Sequence, residues 1–225
     1  MNNDHQKGHR ERLRKKYSTC GVDGLHDYEI VELLLTYAIP QKDVKPLAKD
    51  LMNHFGNFAG IIDAPLEELI KVNGIAQNSA LLFKLIKDIS SEYLADKMKA
   101  QDPLTSPEAV INFARMKLMG REDEAFMVIY LNVKNFVSKF EIINEGTIDE
   151  TVVYPRNIIK KTLANNATGI IIVHNHPSGI CTPSESDKKL TKSLKTALDA
   201  VNIRLVDHLI VGKAGYFSFV QHKLL

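Results

Sequence analysis

Four residues in this chain are spaced to converge: His174 and His176 at i, i+2, then Ser184 and Asp187 at i, i+3. The first spacing is that of one face of a β-strand, the second that of one face of an α-helix. The flanking sequence predicts both elements. Gly169-Ile170-Ile171-Ile172-Val173 is short, continuously apolar and β-branched, the pattern of a buried strand, and it runs directly into His174. Thr182-Pro183-Ser184-Glu185 reads as a capping box with proline at the first helical position, so a helix starts there. Two imidazoles from a strand end and a carboxylate from a first helical turn form a three-ligand zinc site, with the fourth tetrahedral position left for water. Cys181 lies inside the same loop, but the ligand set is complete without it.

A lone His-x-His is a weak signal, because most such pairs are surface or core histidines. The ordered set His174, His176, Pro177, Ser184 and Asp187 is much rarer, and at each position it resembles the JAMM motif of the MPN metalloprotease superfamily. Asn175-His176-Pro177-Ser178-Gly179, Gly146-Thr147, Asp207-His208-Leu209-Ile210-Val211-Gly212 and the N-terminal half together resemble the bacterial RadC family. That likeness runs over nearly the whole chain, from Gly8 to Phe219. Two other resemblances fail on geometry. The string His174-Asn175-His176 spells the name of the HNH nucleases, whose motif residues are instead spread over two strands and a helix. Amidohydrolases place His-x-His at a strand end inside a barrel of roughly 250 residues, which the short remainder after His176 cannot close.

The RadC resemblance implies an α+β protein, with an all-helical N-terminal domain followed by an MPN-like α/β domain whose curved mixed sheet is flanked by helices. It implies a general base upstream of the histidines. Glu124, in Glu124-Ala125-Phe126, matches the family's Glu-x-Phe; Glu145 stands second, with Glu122, Glu141 and Glu150 behind it. It gives Ser184 the task of supporting an oxyanion, while Thr182 is the better candidate for the helix cap. Asn175 points away from the two histidines and is read as structural. His208 is read as a buried histidine bonded to a neighbour, with partnership to a metal ligand or to Asp187 as the other option. The implied activity is peptide or isopeptide hydrolysis: water attacks an amide carbonyl, Glu124 carries the proton and Ser184 supports the oxyanion. A metal-dependent nuclease is the first alternative, and a non-catalytic DNA-binding protein with a retained zinc site the second.

The elements that must hold these residues fall into two halves. At 225 residues, 44% hydrophobic and 25% charged, the chain can bury a core in each. No apolar run reaches the length of a membrane span, and the only two cysteines, Cys20 and Cys181, lie in different halves, as in a reduced cytoplasmic protein. Helical periodicity dominates residues 9 to 95, with helices after Asp27 as N-cap, over Val44–Met52, from Pro65, and over Ala80–Ile89. The polar stretch 96–106 is read as a linker between a helical domain, 1–95, and the metal-binding domain, 107–225. In the second half Ser106 caps a helix, residues 126–131 and 136–142 form a hairpin turned at Lys134-Asn135, and residues 158–164 are helical. Residues 204–211 and 216–219 are strands.

The net charge is only +2, but residues 1–20 hold six basic side chains against Asp4 and Glu11. Arg10 and Arg14 on that arm are candidates for DNA phosphates. The segment Val72-Asn73-Gly74-Ile75-Ala76, between two helices, is similar to a helix-hairpin-helix turn, which binds a DNA phosphate through backbone amides without reading bases. Gly74, Ile75 and Ala76, with Lys71, are the expected contacts. Ala76 stands where such turns carry a second glycine, so its methyl is expected to hinder the approach or to resist a positive φ.

Overall fold

The computed structural model describes residues 3–145 and 154–225. Gly146, Thr147 and Glu150 lie outside them, and so does the side chain of Glu145. The chain divides into two compact units, Met1–Asp88 and Ile89–Leu225.

In the first unit α1 (Asn3–Cys20), α2 (Asp27–Ala38), α3 (Lys45–Phe55), α4 (Phe58–Asp63) and α5 (Leu66–Lys71) precede the start of α6 (Gln77–Lys99). No strand occurs among its described residues, as the periodicity predicts. Val31, Leu35, Ala48, Leu51, Ile61, Leu69, Ala80 and Phe83 form its core. The cap of α2 is His26 rather than Asp27, because the Glu29 carboxylate accepts from the His26 amide and closes the box one residue earlier. The expectation missed α4, a six-residue helix too short to show a period. Its Asn57 cap accepts from Gly60 N at 2.8 Å.

The second unit begins inside α6. Ala95 and Met98, one helical turn apart, are buried in the core of this unit with Val110, Phe113 and Leu118. The helix therefore continues through the first residues of the stretch read as a linker, and the division falls at Ile89 rather than at 96–106. Polar residues on the open face of α6 hid the buried one. Next come α7 (Pro107–Leu118), with Ser106 at its N-cap position but without a side-chain cap bond, β1 (Ala125–Leu131), β2 (Val137–Glu145), α8 (Pro155–Ala164), β3 (Gly169–Asn175), α9 (Glu185–Asp199), β4 (Arg204–Gly212) and β5 (Gly215–Ser218). The strands form one open mixed sheet in the order β2-β1-β3-β4-β5, with β3 and β4 parallel and the other neighbours antiparallel. The architecture is α+β, an N-terminal helical region before a mixed sheet with helices, consistent with an MPN-like domain.

Strands β1 and β3 are buried along their whole length, which explains their unbroken apolar runs. Met127, Ile129, Ile171 and Val173 pack on the side of α7. Phe126, Val128, Ile170 and Ile172 pack on the opposite side with Ile158 of α8 and Leu194 and Leu198 of α9. Period-two alternation then puts His174 on the α9 side of β3. In the parallel register His208 of β4 pairs with Ile172, so it emerges on that same side.

Candidate metal centre

His174 is the penultimate residue of β3, His176 directly follows the strand, and Asp187 sits in the first turn of α9. His174 Nε2 lies 3.0 Å from His176 Nε2 and 3.3 Å from Asp187 Oδ1, and His176 Nε2 lies 3.5 Å from Asp187 Oδ2. The three residues form a group whose potential ligand atoms all fall within 4.8 Å of one another. Donors about 2.0–2.1 Å from a tetrahedral zinc stand roughly 3.3 Å apart along each edge. The donor types and their spacing thus fit such an ion. Cys181 is outside the group: its Sγ faces Gly179 O at 4.0 Å, and burial raises its thiol pKa.

The start of α9 differs from the expectation. The helix begins at Glu185, and its cap is Ser184 rather than Thr182. Asp187 decides this, because at N3 it accepts from Ser184 N at 2.7 Å while its own amide donates to Ser184 Oγ at 3.1 Å. Ser184 Oγ also donates to Asp187 Oδ2 at 2.7 Å. Ser184 is thus both the cap and a direct partner of the aspartate. Burial acts to raise the Asp187 pKa, but hydrogen bonds from His174, His176 and Ser184 outweigh it and hold the carboxyl well below the ordinary range. The Asp187 hydrogen bond raises the pKa of His176 against its partial burial, helped by Ile180 O at 2.7 Å from Nδ1.

Glu124 precedes β1, which pairs with β3 so that Phe126 lies opposite His174. Its side chain is exposed, with Oε1 3.7 Å from His174 Nε2. Among the other glutamates, Glu141 is bound by Lys139 and Lys161 beside Tyr130. Opposite Val128 on β2, it lies further along the sheet than the His174 level. Glu122 is exposed in the turn before Glu124. Asn175 explains why Glu124 stands where it does. Buried on the face opposite the histidines, its Oδ1 accepts from Ala125 N at 2.8 Å and its Nδ2 donates to Asp123 O at 3.2 Å. The backbone is gripped on both sides of Glu124.

Sequence reasoning missed Thr191. One turn after Asp187 on α9 and buried, its hydroxyl donates to Asp187 O at 2.6 Å and lies 2.7 Å from His208 Nδ1. The i, i+4 spacing from Asp187 was the available signal. His208 Nε2 lies 2.9 Å from His174 Nδ1, so this buried histidine is the neighbour of a candidate ligand, which joins the two options left open for it. Burial pushes its pKa well below the ordinary value, with the proximity of His174 adding to the effect. The ring of Phe219 stacks on it at 4.5 Å. Asp207 binds the following turn, accepting from Ser218 Oγ at 2.6 Å and Val220 N at 3.1 Å. The loop after His176 closes onto β4: His176 N donates to Val211 O at 3.0 Å and Ala214 N to Gly179 O at 3.2 Å.

The remaining candidates belong to the first unit. The Arg10 guanidinium donates to the carbonyls of Ile39, Pro40 and Lys42, so it is spent on the end of α2 and the loop after it. Arg14 lies over the Tyr37 ring at 5.4 Å, and Lys71 pairs with Glu68. Gly74 has φ +98°, and a side chain there would meet Leu47 Cδ1 at 3.3 Å. Ile75 is buried in the helical core, while Ala76 is exposed and its carbonyl accepts from Ser79 N and Ala80 N at the start of α6. Ala76 is not among the described residues with positive φ, so its methyl causes no backbone strain there.

Comparison with known proteins matches residues 104–224 to the RadC-like JAB domain and residues 5–81 to the UPF0758 N-terminal family. A UPF0758 protein of Fusobacterium nucleatum is 39% identical over 100% of both chains. One from Actinobacillus pleuropneumoniae serotype 5b is 39% identical over 93% of this chain and 96% of its own. One from Ruegeria pomeroyi is 38% identical over 94% of each. No helix among the described residues is long and apolar enough to cross a membrane.

Proposed function

The chain belongs to the RadC family, and on that premise we propose that it is a zinc-dependent hydrolase of the JAMM type, acting on peptide or isopeptide bonds. The observation that carries the reading is the convergence of His174, His176 and Asp187 with an exposed carboxylate, Glu124, 3.7 Å from His174 Nε2. Two neutral imidazoles and one carboxylate are the donor set that would hold the ion. Zinc in such a set supplies Lewis acidity, polarising a carbonyl and easing the deprotonation of water near neutral pH.

The chain's own residues supply the rest. Glu124 takes the proton of the attacking water and delivers it to the leaving amine, a task suited to a carboxylate that is exposed yet fixed by its flanking backbone. Ser184 turns its hydroxyl from Asp187 Oδ2 toward the oxygen on which charge develops, and such a donor contributes about 3–4 kcal/mol to a transition state. The two strand-end imidazoles and Asp187 keep the site rigid, because each is tied to a sheet strand or a helix cap.

In the first unit we propose sequence-independent contact with DNA phosphates through the Gly74-Ile75-Ala76 turn at the head of α6, with Arg14 and Lys71 as supporting charges. Arg10 is not part of that set, since its donors are used internally. Binding should weaken steeply with salt and be equal for unrelated duplexes.

The test of the hydrolase is Glu124→Gln in full-length protein against panels of peptide, isopeptide-linked and DNA substrates. The variant should keep its metal and lose amide hydrolysis by about 100-fold or more. Metal-dependent cutting of DNA that Asp187→Ala removes, without amide hydrolysis, would replace the reading with a nuclease.

A further inference from the structure

A chain of hydrogen bonds joins two of the three candidate ligands through two buried residues outside the ligand set. It begins at His174 Nδ1, passes His208 and Thr191, and ends on the backbone carbonyl of Asp187, with steps of 2.9, 2.7 and 2.6 Å. Its direction follows from its last member. A carbonyl oxygen only accepts, so Thr191 must spend its one hydroxyl proton on Asp187 O. Thr191 Oγ1 is then an acceptor toward His208, and His208 must carry its proton on Nδ1. His208 is fully buried against His174, Thr191 and the rings of Phe126 and Phe219; Asp207 accepts from its backbone amide, and the ring itself bonds only His174 and Thr191 among the described residues. Such a ring is neutral. Its Nε2 therefore holds a lone pair and accepts from His174 Nδ1–H. With its Nδ1–H committed to His208, Nε2, the atom facing His176 and Asp187, is the nitrogen of His174 open to a metal.

His176 reaches the same state in one step. Its Nδ1 lies 2.7 Å from Ile180 O, again an oxygen that can only accept, so Nε2, which faces Asp187, is its nitrogen open to a metal. Both histidines thus spend Nδ1 on a partner outside the site and turn Nε2, the nitrogen that would ligate, toward the same point.

We propose that Thr191 and His208 are positioning residues that fix His174 in its Nδ1–H tautomer and thereby set the affinity of the centre for its metal. The inference rests on the metal reading above for its consequence, though not for its geometry. Thr191→Val keeps the shape of the side chain and removes the acceptor. His208 Nδ1–H is then buried without a partner, so the ring favours the Nε2–H tautomer and donates to His174 Nδ1. The His174 proton moves to Nε2, where it blocks ligation. Loss of such an outer partner lowers metal affinity about 10–100-fold.

The experiment uses the full chain stripped of metal by chelator, as wild type, Thr191→Val and Thr191→Ser. Long-range ¹H–¹⁵N correlation spectra report the tautomer of each histidine, and competition with a chromophoric chelator reports zinc affinity. Wild type and Thr191→Ser should show His174 protonated at Nδ1 and bind zinc alike. Thr191→Val should show it protonated at Nε2 and bind zinc 10–100-fold more weakly. Wild-type His174 with no proton on Nδ1 would overturn the proposal even if the valine variant failed to fold, and so would a folded valine variant with unchanged affinity. Wild type that binds no zinc, yet shows the Nδ1–H tautomer, would support the relay while sinking the metal reading.

Discussion

Replacing Asn175 by alanine removes two hydrogen bonds from one buried point: Oδ1 from Ala125 N at 2.8 Å and Nδ2 to Asp123 O at 3.2 Å. Ala125 is 1% exposed, so its amide loses a partner where water does not reach. An orphaned buried N–H costs about 1–3 kcal/mol, and the second bond adds about 0.5–1.5 kcal/mol, which gives roughly 2–4 kcal/mol in all. With a urea slope of about 2 kcal/mol/M, the unfolding midpoint should fall by roughly 1–2 M. Asn175 lies on the face opposite the ligands, so the folded variant should still bind one equivalent of zinc. Hydrolysis should nonetheless fall, because both lost bonds flank Glu124. Equilibrium urea unfolding, metal analysis and a peptide hydrolysis assay on the same preparation separate these effects. A midpoint within about 0.3 M of wild type would refute the clamp, since it corresponds to less than about 1 kcal/mol. Full hydrolysis with a lowered midpoint would refute its link to Glu124.

A side chain at Gly212 would place its Cβ 2.5 Å from Gly179 O and 2.9 Å from Cys181 Sγ. Gly212→Ala should therefore push the His176 loop off β4, lower stability by about 1–3 kcal/mol and weaken zinc binding. Unchanged melting temperature and affinity would contradict that packing. Glu141 provides a pH test on the far part of the sheet. Hydrogen bonds from Lys139 and Lys161 hold its pKa below the ordinary value despite partial burial. Its contribution is therefore present above the unfolded value of about 4.3 and is lost as pH falls through the depressed folded value. Glu141→Gln should cost about 1 kcal/mol at pH 7, with the gap to wild type closing toward pH 3 in urea titrations. A gap that widened in acid would contradict the sign.

The grouping of the three candidate ligands was legible because its parts are local in the chain. A strand end, a loop and a helix start bring His174, His176 and Asp187 together with little help from distant elements. Glu124 came from the family resemblance, and its Oε1 stands 3.7 Å from His174 Nε2. The shell around these residues was not legible. Thr191 looks like an ordinary helical threonine until β4 lays His208 beside it, and Asn175 looks idle until β1 pairs with β3. Those contacts join residues 17 and 50 positions apart, which no local period reports. Two local readings also shifted for physical reasons. Ser184 took the cap from Thr182 because Asp187 reciprocates at N3, and buried Met98 carried α6 into the start of the polar stretch that had suggested a linker.

The central claim is that His174, His176 and Asp187 form a zinc centre. Its most direct test is the metal content of full-length protein purified without chelator or histidine tag, measured by mass spectrometry beside Asp187→Ala. The account predicts close to one zinc per chain in wild type and loss of that zinc in the variant. Wild type that stays free of metal after incubation with zinc, or a variant that holds it as well as wild type, would contradict the account.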